Sequence, residues 1–248
     1  MKKRVFINIH YLEIGGAERA LLGLLSALDP EKVDVDLFVN QHTGEFMQLV
    51  PDYVNLLPEV PEYTCIERPI KDIVMEGHFG IAFRRLMAKY KNKKYQKTLT
   101  EEEIKHDASI FQYVYDEVES VLPSLYHLGE YDLAISFLMP HNIVLNKVRA
   151  KKRVCWIHTD YSVTHVDHDK ELPIWNGFDY VASISDDCTR EFNNMFPELK
   201  SKVVLIENIL SPLFVRQQAE LEDVSFEMPT EPGVTKILTI GRYSPQKK

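Results

Sequence analysis

The chain has 248 residues, 45% apolar and 27% charged, with 10 Gly and 13 Pro. That composition excludes disordered and collagen-like classes and leaves ample length to bury a core. A net charge of -8 argues against a general nucleic-acid binder, so no nucleic-acid partner is expected.

Cys65, Cys155 and Cys188 are odd in number and share no metal-like spacing. A disulfide framework or a zinc knuckle is therefore not expected, and a reducing cytoplasm fits best. The basic start at Lys2, Lys3 and Arg4 is followed by an apolar run broken at Asn8 and His10, unlike a signal peptide. No stretch approaches the ~18 uninterrupted apolar residues of a membrane span.

The first element pair organises the rest. Val5, Phe6, Ile7 and Ile9 form a run too continuous for a strand with one wet face, which predicts a parallel sheet covered on both sides. Gly15 and Gly16 follow as a sharp turn where backbone can approach a ligand, and residues 17–28 have the composition of a buried helix. The free N–H groups and dipole at that helix start favour a phosphate or another oxygen-rich group at the carboxyl edge of the sheet. A glycine pair that merely connects two elements accounts for the same residues.

Val33, Val35, Leu37 and Val39 alternate with charged residues up to Asn40 and predict a second strand near a sheet edge. Thr43-Gly44-Glu45 opens a short helix through Val50, and residues 54–57 form a third strand ahead of Pro58 and Pro61. From residue 66 to 128 the pattern turns helical and charge-rich, which reads as an insertion. Thr100 and Glu103 make a capping box at the start of a helix carrying Ile104, Ile110, Phe111, Val114, Val118 and Leu122.

Residues 84–97 hold seven basic and no acidic side chains, while Phe83, Leu86, Met87 and Tyr90 recur at helical spacing. Two readings fit this helix. One is a surface for an anionic membrane through Arg84, Arg85, Lys89, Lys91, Lys93 and Lys94; the other is a solvated face above a core stripe.

Regular alternation then resumes. Strands are predicted over 131–138, 153–158, 178–184 and 202–206, with helices over 142–148 and from the Ser185 cap to Met195. Residues 219–233 are acidic and Pro-bearing, as a linker is, and 236–240 reads as a strand. The expected organisation is an α/β, Rossmann-like, doubly wound domain over 1–218 with its helical insertion, then the linker. Residues 234–248 are expected to be the first strand and loop of a truncated second domain.

Three loops after predicted strands gather the polar residues of interest: 11–16, 139–142 and 158–169. In a parallel sheet they share one edge, the usual place for a ligand. His158 ends a buried strand at that rim, where it would reach a sugar hydroxyl or a phosphate; a histidine with only a structural bond is the other reading. The acceptor-side candidates are His10, Glu18, His141 and Asp160.

The loop containing His158, Asp160, His165, Asp167, His168 and Asp169 offers hard-cation or zinc ligands, but no pair has a recognised metal spacing. Gly15-Gly16-Ala17-Glu18-Arg19 lacks dinucleotide spacing, and Asn40 stands where a ribose-binding carboxylate is expected, so NAD is a poor fit. In the terminal segment, Gly241 permits a close turn and the planar fork of Arg242 suits a diphosphate, with Lys247 nearby. A solvated basic tail is the alternative there.

Taken in order, IGGAER after the first strand, His158 after a buried strand, ISDDCTREF, IEN and GRYSPQKK resemble the retaining glycosyltransferases of family four, in their N-terminal part. The resemblance covers most of the chain apart from the insertion over 66–128. It implies one half of a GT-B architecture, in which an acceptor-binding domain faces a nucleotide-sugar-binding domain. It also implies hexosyl transfer with retention, in bacterial surface-polysaccharide synthesis, with a nucleotide-diphosphate sugar as substrate and no metal or other cofactor.

The same resemblance assigns Gly15 and Gly16 to the donor phosphates and sugar, His158 to the reacting centre, and Arg242 and Lys247 to the leaving diphosphate. Lys248 stands where the family often has Gly, and Glu207-Asn208-Ile209 replaces a more usual Asn-Gly-Val. Without the second domain the chain alone is expected to be a poor catalyst. The expected location is cytoplasmic, with peripheral contact at the inner membrane face and a glycan or lipid-linked acceptor. A non-catalytic glycan or nucleotide-binding module is the first alternative, and a metal-dependent hydrolase built on the His/Asp loop the second.

Overall fold

The computed structural model describes residues 2–210, 212–220, 223, 226 and 231–238. Contacts divide the chain into two compact units, Met1–Ser211 and Pro212–Lys248.

In the first unit, β1 (Lys3–Ile9) is buried from Val5 onward because both of its faces are covered. Val5, Ile7 and Ile9 share one cluster with Leu21 and Leu25 of α1 (Gly16–Ala27). Phe6 turns the other way, its ring 6.2 Å from Phe38 and 5.3 Å from Tyr131. Burying side chains of this size contributes about 1.5–3 kcal/mol each, which explains why so apolar a run ends up at the centre of a sheet.

β2 (Val33–Val39) lies beside β1, and the two-residue β3 (Asn55–Leu56) forms the edge beyond it. The alternation in β2 thus reports a strand one place in from the edge. The short helix expected after Gly44 is a 3-10 turn over Glu45–Leu49.

After the short α2 (Pro61–Thr64), the segment expected as an insertion over 66–128 is helical: α3 (Ile70–Met75), α4 (Phe79–Gln96), α5 (Glu101–His106) and α6 (Ser109–Glu119). The Thr100 capping box is present, with Glu103 N donating to Thr100 Oγ1 and Thr100 N to Glu103 Oε2. The single helix expected after it is two. Asp107 leaves the helix to pair with His165, where Ala108 N donates to the His165 carbonyl at 2.8 Å and His165 N to the His106 carbonyl at 2.9 Å. Asp107 Oδ1 then accepts from Ser109 N and restarts the turn.

In α4 the core face is Ile81, Ala82, Arg85, Ala88 and Asn92, not the expected stripe. Phe83, Leu86 and Tyr90 are exposed and Met87 is half-buried.

After the insertion come β4 (Glu130–Ser136), α7 (Asn142–Lys147), β5 (Arg149–Trp156), α8 (His168–Asn176), β6 (Tyr180–Ser183), α9 (Asp186–Met195) and β7 (Val203–Leu205). β5 begins at Arg149 rather than near Arg153 because its exposed start is held by charge: Lys151 pairs with Asp132 and Lys152 with Asp179. α8 sits where a polar loop is expected; Trp175 and Glu171 fix its buried side.

All seven strands are parallel, in the order β3-β2-β1-β4-β5-β6-β7. With helices on both faces this is a doubly wound, Rossmann-like α/β sheet. Among the described residues no helix is long and apolar enough to cross a membrane.

The second unit contains α10 (Pro212–Ala219). Residues 234–238 have no regular secondary structure. The remainder of the strand expected over 236–240, together with Arg242, Lys247 and Lys248, lies outside the described residues.

Candidate functional site

The strand order reverses between β1 and β4, so the loops leaving their carboxyl ends diverge and open a crevice there. The segments after β1, β4, β5 and β6 carry His10 to Gly15, the cis Met139–Pro140 peptide with His141, His158 to Asp160, and Ser185 respectively.

His158 has a buried ring nitrogen without a hydrogen bond, a property it shares among the described residues with His42. The nitrogen is Nε2, and the ring lies 4.8 Å from that of Phe137. Burial lowers its pKa to about 4, so the imidazole is neutral at pH 7. An orphaned buried ring nitrogen costs free energy unless something fills it, which marks a place for a ligand atom.

A cavity of about 380 Å³ opens beside His158, lined also by Thr159, Asp160, Ser162, Ser185 and Arg190. Its far wall is the first turn of α9, where Ser185 Oγ caps the helix by accepting from Cys188 N at 3.1 Å. Asp160 is exposed at the rim and accepts from Ser162 N and Oγ. Arg190, the cation of this wall, pairs with Asp187 and Glu191. The sequence reading missed Arg190 as a cavity residue; the Ser185 cap three residues before Cys188 was the available signal.

His10 is placed differently. It is 2% exposed, with Nδ1 3.3 Å from Asn40 Nδ2 and Nε2 3.4 Å from Glu67 Oε2. Asn8 Nδ2 donates to the Phe38 carbonyl and to Asn40 Oδ1, so the Asn40 amide must turn its NH2 toward His10. Nδ1 is then the acceptor and the ring proton sits on Nε2, facing Glu67. Burial lowers the His10 pKa against the opposing charge of Glu67. Glu67 also accepts from Tyr115 at 2.8 Å, and the Tyr115 phenol is pushed well up by burial and by Glu67. Sequence reasoning missed this chain, since Glu67 and Tyr115 lie on the insertion with no motif linking them to β1.

His141 is 3% exposed, bonded to Ser136 Oγ at 2.8 Å and packed on Trp175. Burial, then the neighbouring His158, lowers its pKa to about 3. Its contacts are with Ser136, Trp175 and Phe178, and its burial leaves little surface for an acceptor.

Gly15 is extended, at φ -148 and ψ 165, so no left-handed turn requires glycine there. The requirement is space: a Cβ on Gly15 would stand 2.0 Å from a carboxylate oxygen of Glu18. Glu18 is buried at the start of α1, where a carboxylate complements the helix dipole. A Cβ on Gly16 meets nothing within 4 Å, so Gly16 faces open space.

The His/Asp loop does not converge. Tyr95 holds His165, Tyr113 holds Asp167, and His168 stacks on Phe196. Among the described residues, Cys65, Glu76 and His78 are the one trio with ligand atoms within 4.8 Å of one another, and the Arg68 guanidinium already grips Glu76.

No protein-family model matches the sequence. No curated protein is similar to it either. Among solved structures, the chain is similar to Anabaena Alr3699/HepE in complex with UDP and glucose, at a TM-score of 0.47 and 13% identity. A second structure of that protein, in complex with UDP-glucose, gives a TM-score of 0.43 and 14% identity. Each match covers 88% of this chain and 50% of the other, so the chain spans about half the length of that protein.

Proposed function

We propose that this chain is the acceptor-side half of a retaining GT-B glycosyltransferase of family four. It would move a hexosyl group from a nucleotide-diphosphate sugar to a glycan or lipid-linked acceptor, in surface-polysaccharide synthesis on the cytoplasmic side. The observation that carries the reading is the neutral, unpartnered His158 beside an open cavity at the carboxyl edge of the sheet. The order of the sequence motifs, from the glycine pair to Arg242 and Lys247, supports it.

In this reaction the bond from the anomeric carbon to the diphosphate oxygen breaks, and the diphosphate leaves with the electron pair. A bond to an acceptor hydroxyl forms on the same face, and the proton of that hydroxyl passes to the departing diphosphate oxygen. A ring with a pKa of about 4 is a poor acid at neutral pH, so His158 serves by hydrogen bonding to a sugar hydroxyl near the reacting carbon. Arg242 and Lys247 are the groups proposed to offset charge growing on the leaving diphosphate. His10, held by Asn40 and Glu67, shapes the β1 side of the crevice.

The test is to incubate the native polypeptide containing these residues with a panel of labelled nucleotide sugars and membrane lipid or glycan acceptors, then read the product's anomeric configuration by NMR. A product with the donor's configuration is expected. An inverted product refutes retention, and binding of a nucleotide sugar without transfer to any acceptor supports the non-catalytic module instead.

A further inference from the structure

α4 is built inside out. Apart from Ile81 its buried side is small or polar, with Ala82, Arg85, Ala88 and Asn92, while Phe79, Phe83, Leu86 and Tyr90 point to water. Phe79 is 66% exposed, Phe83 60%, Leu86 54% and Tyr90 68%. At 100° per residue these four fall within a sector of roughly 60° and run about 16 Å along the helix. Met75, just before the helix, is also exposed. An ordered apolar line on a single helix, in a chain of ordinary composition, is a docking face rather than scattered surface hydrophobes.

The charges around it are sorted. Arg85 is buried and donates to the carbonyls of Cys65 and Arg68, and Arg84 and Lys91 both pair with Glu117 of α6. Arg85 is therefore not available to a partner, which corrects the expectation that it faces a membrane, while Arg84 is half-buried, Lys91 is exposed, and both are engaged by Glu117. Lys89, Lys93, Lys94 and Lys97 are exposed and have no ion pair among the described residues. Lys93, Lys94 and Lys97 continue the apolar sector at the end of the helix, and Lys89 borders it.

We infer that this face of α4 docks on the surface of an anionic lipid bilayer, with Phe79, Phe83, Leu86 and Tyr90 at the headgroup boundary and the four lysines on acidic headgroups. The pairing of an apolar line with unpaired cations is complementary to such a surface. A second copy packed two-fold on this face would bring both sets of lysines together if the helices ran parallel, and would give them no acidic partner on α4 in either direction, which opposes that occupant. This inference stands apart from the reading of the crevice and does not need it.

The probe is flotation with vesicles of phosphatidylcholine, with and without phosphatidylglycerol. Binding to the anionic vesicles only, weakened by salt, is expected. Removing one lysine should weaken binding about fivefold, and changing Lys89, Lys93, Lys94 and Lys97 together to Gln by several hundredfold. Phe83→Ser with Leu86→Ser should abolish it, while Arg84→Gln with Lys91→Gln should leave it nearly unchanged.

All of these side chains except Arg84 are exposed, and a melting curve confirms that each variant is folded. Tyr90→Trp adds a local readout: its fluorescence should shift to the blue with anionic vesicles alone. No flotation, equal flotation with neutral lipid, or full binding by the four-lysine variant overturns the inference. A dimer that Phe83→Ser with Leu86→Ser dissolves, without vesicle binding, overturns it in favour of self-association.

Discussion

Two glycines on α1 should respond to alanine with opposite sign. At Gly16 a new methyl meets nothing within 4 Å and replaces the poorest non-proline helix former, so Gly16→Ala should stabilise by about 0.5–1 kcal/mol. At Gly23 the same propensity gain applies, but the Cβ would stand 2.0 Å from the Ile209 carbonyl oxygen. Ordinary contact begins near 3.4 Å, so the segment after β7 must retreat by about 1.4 Å.

That segment covers Ala20, Leu24, Phe137 and Trp156, and moving it opens apolar surface. Overpacking of this kind costs about 1–3 kcal/mol, which offsets or outweighs the helix gain and leaves a net loss of about 0–2.5 kcal/mol. Thermal unfolding followed by circular dichroism checks it: roughly 2–4 °C per kcal/mol is expected for a unit of this size, upward for Gly16→Ala and downward for Gly23→Ala. If Gly23→Ala melts as high as Gly16→Ala, the segment from Ile206 to Ile209 does not lie against α1 as described.

Stability should fall as pH drops from about 6.5 toward 4, because His10, His141 and His158 have lowered pKa values in the fold and must bind protons on unfolding. The unfolded chain binds more protons in that window, and each histidine adds a slope of about 1.4 kcal/mol per pH unit. Glu171, raised by burial, opposes it with one group against three. Urea unfolding between pH 7 and 5 reads the slope, and a flat profile would mean these rings are not buried. Of the three thiols, Cys65 and Cys155 are fully buried and Cys188 lines the cavity, so only Cys188 should react with a thiol reagent in the native protein. Labelling of Cys65 or Cys155 at a comparable rate would contradict the packing. Replacing Gly16 with Trp should block sugar transfer while leaving the melting temperature near that of wild type, since only open space is filled.

The sheet was legible because β1 and the loop motifs carry their own signals: an unbroken apolar run, a glycine pair, a serine cap. What escaped depends on tertiary partners. α5 and α6 separate at Asp107 because the backbone at His165 bridges to it there, and nothing local to Asp107 announces it. Periodicity found an amphipathic α4 but not which side faces the core, since the true core side is the less apolar one.

The site shows the same division. His158 follows a buried strand, as read from the sequence, and lines a cavity at the carboxyl edge. His141 looked equivalent in sequence yet is sealed behind Trp175, and Gly15 makes room for Glu18 rather than for a bend. Glu67, the partner of His10, is 57 residues downstream in the insertion, a separation that no spacing rule bridges.

The central claim is that His158 acts on a sugar at the carboxyl edge. Its most direct test is transfer from a labelled nucleotide sugar by the native polypeptide, comparing wild type with His158→Ala at matched folding. Loss of a hydrogen bond made near the reacting carbon predicts a fall of about 10²-fold or more in kcat with an unchanged melting curve. Equal rates for the two proteins, or no transfer by wild type with any donor, would contradict it.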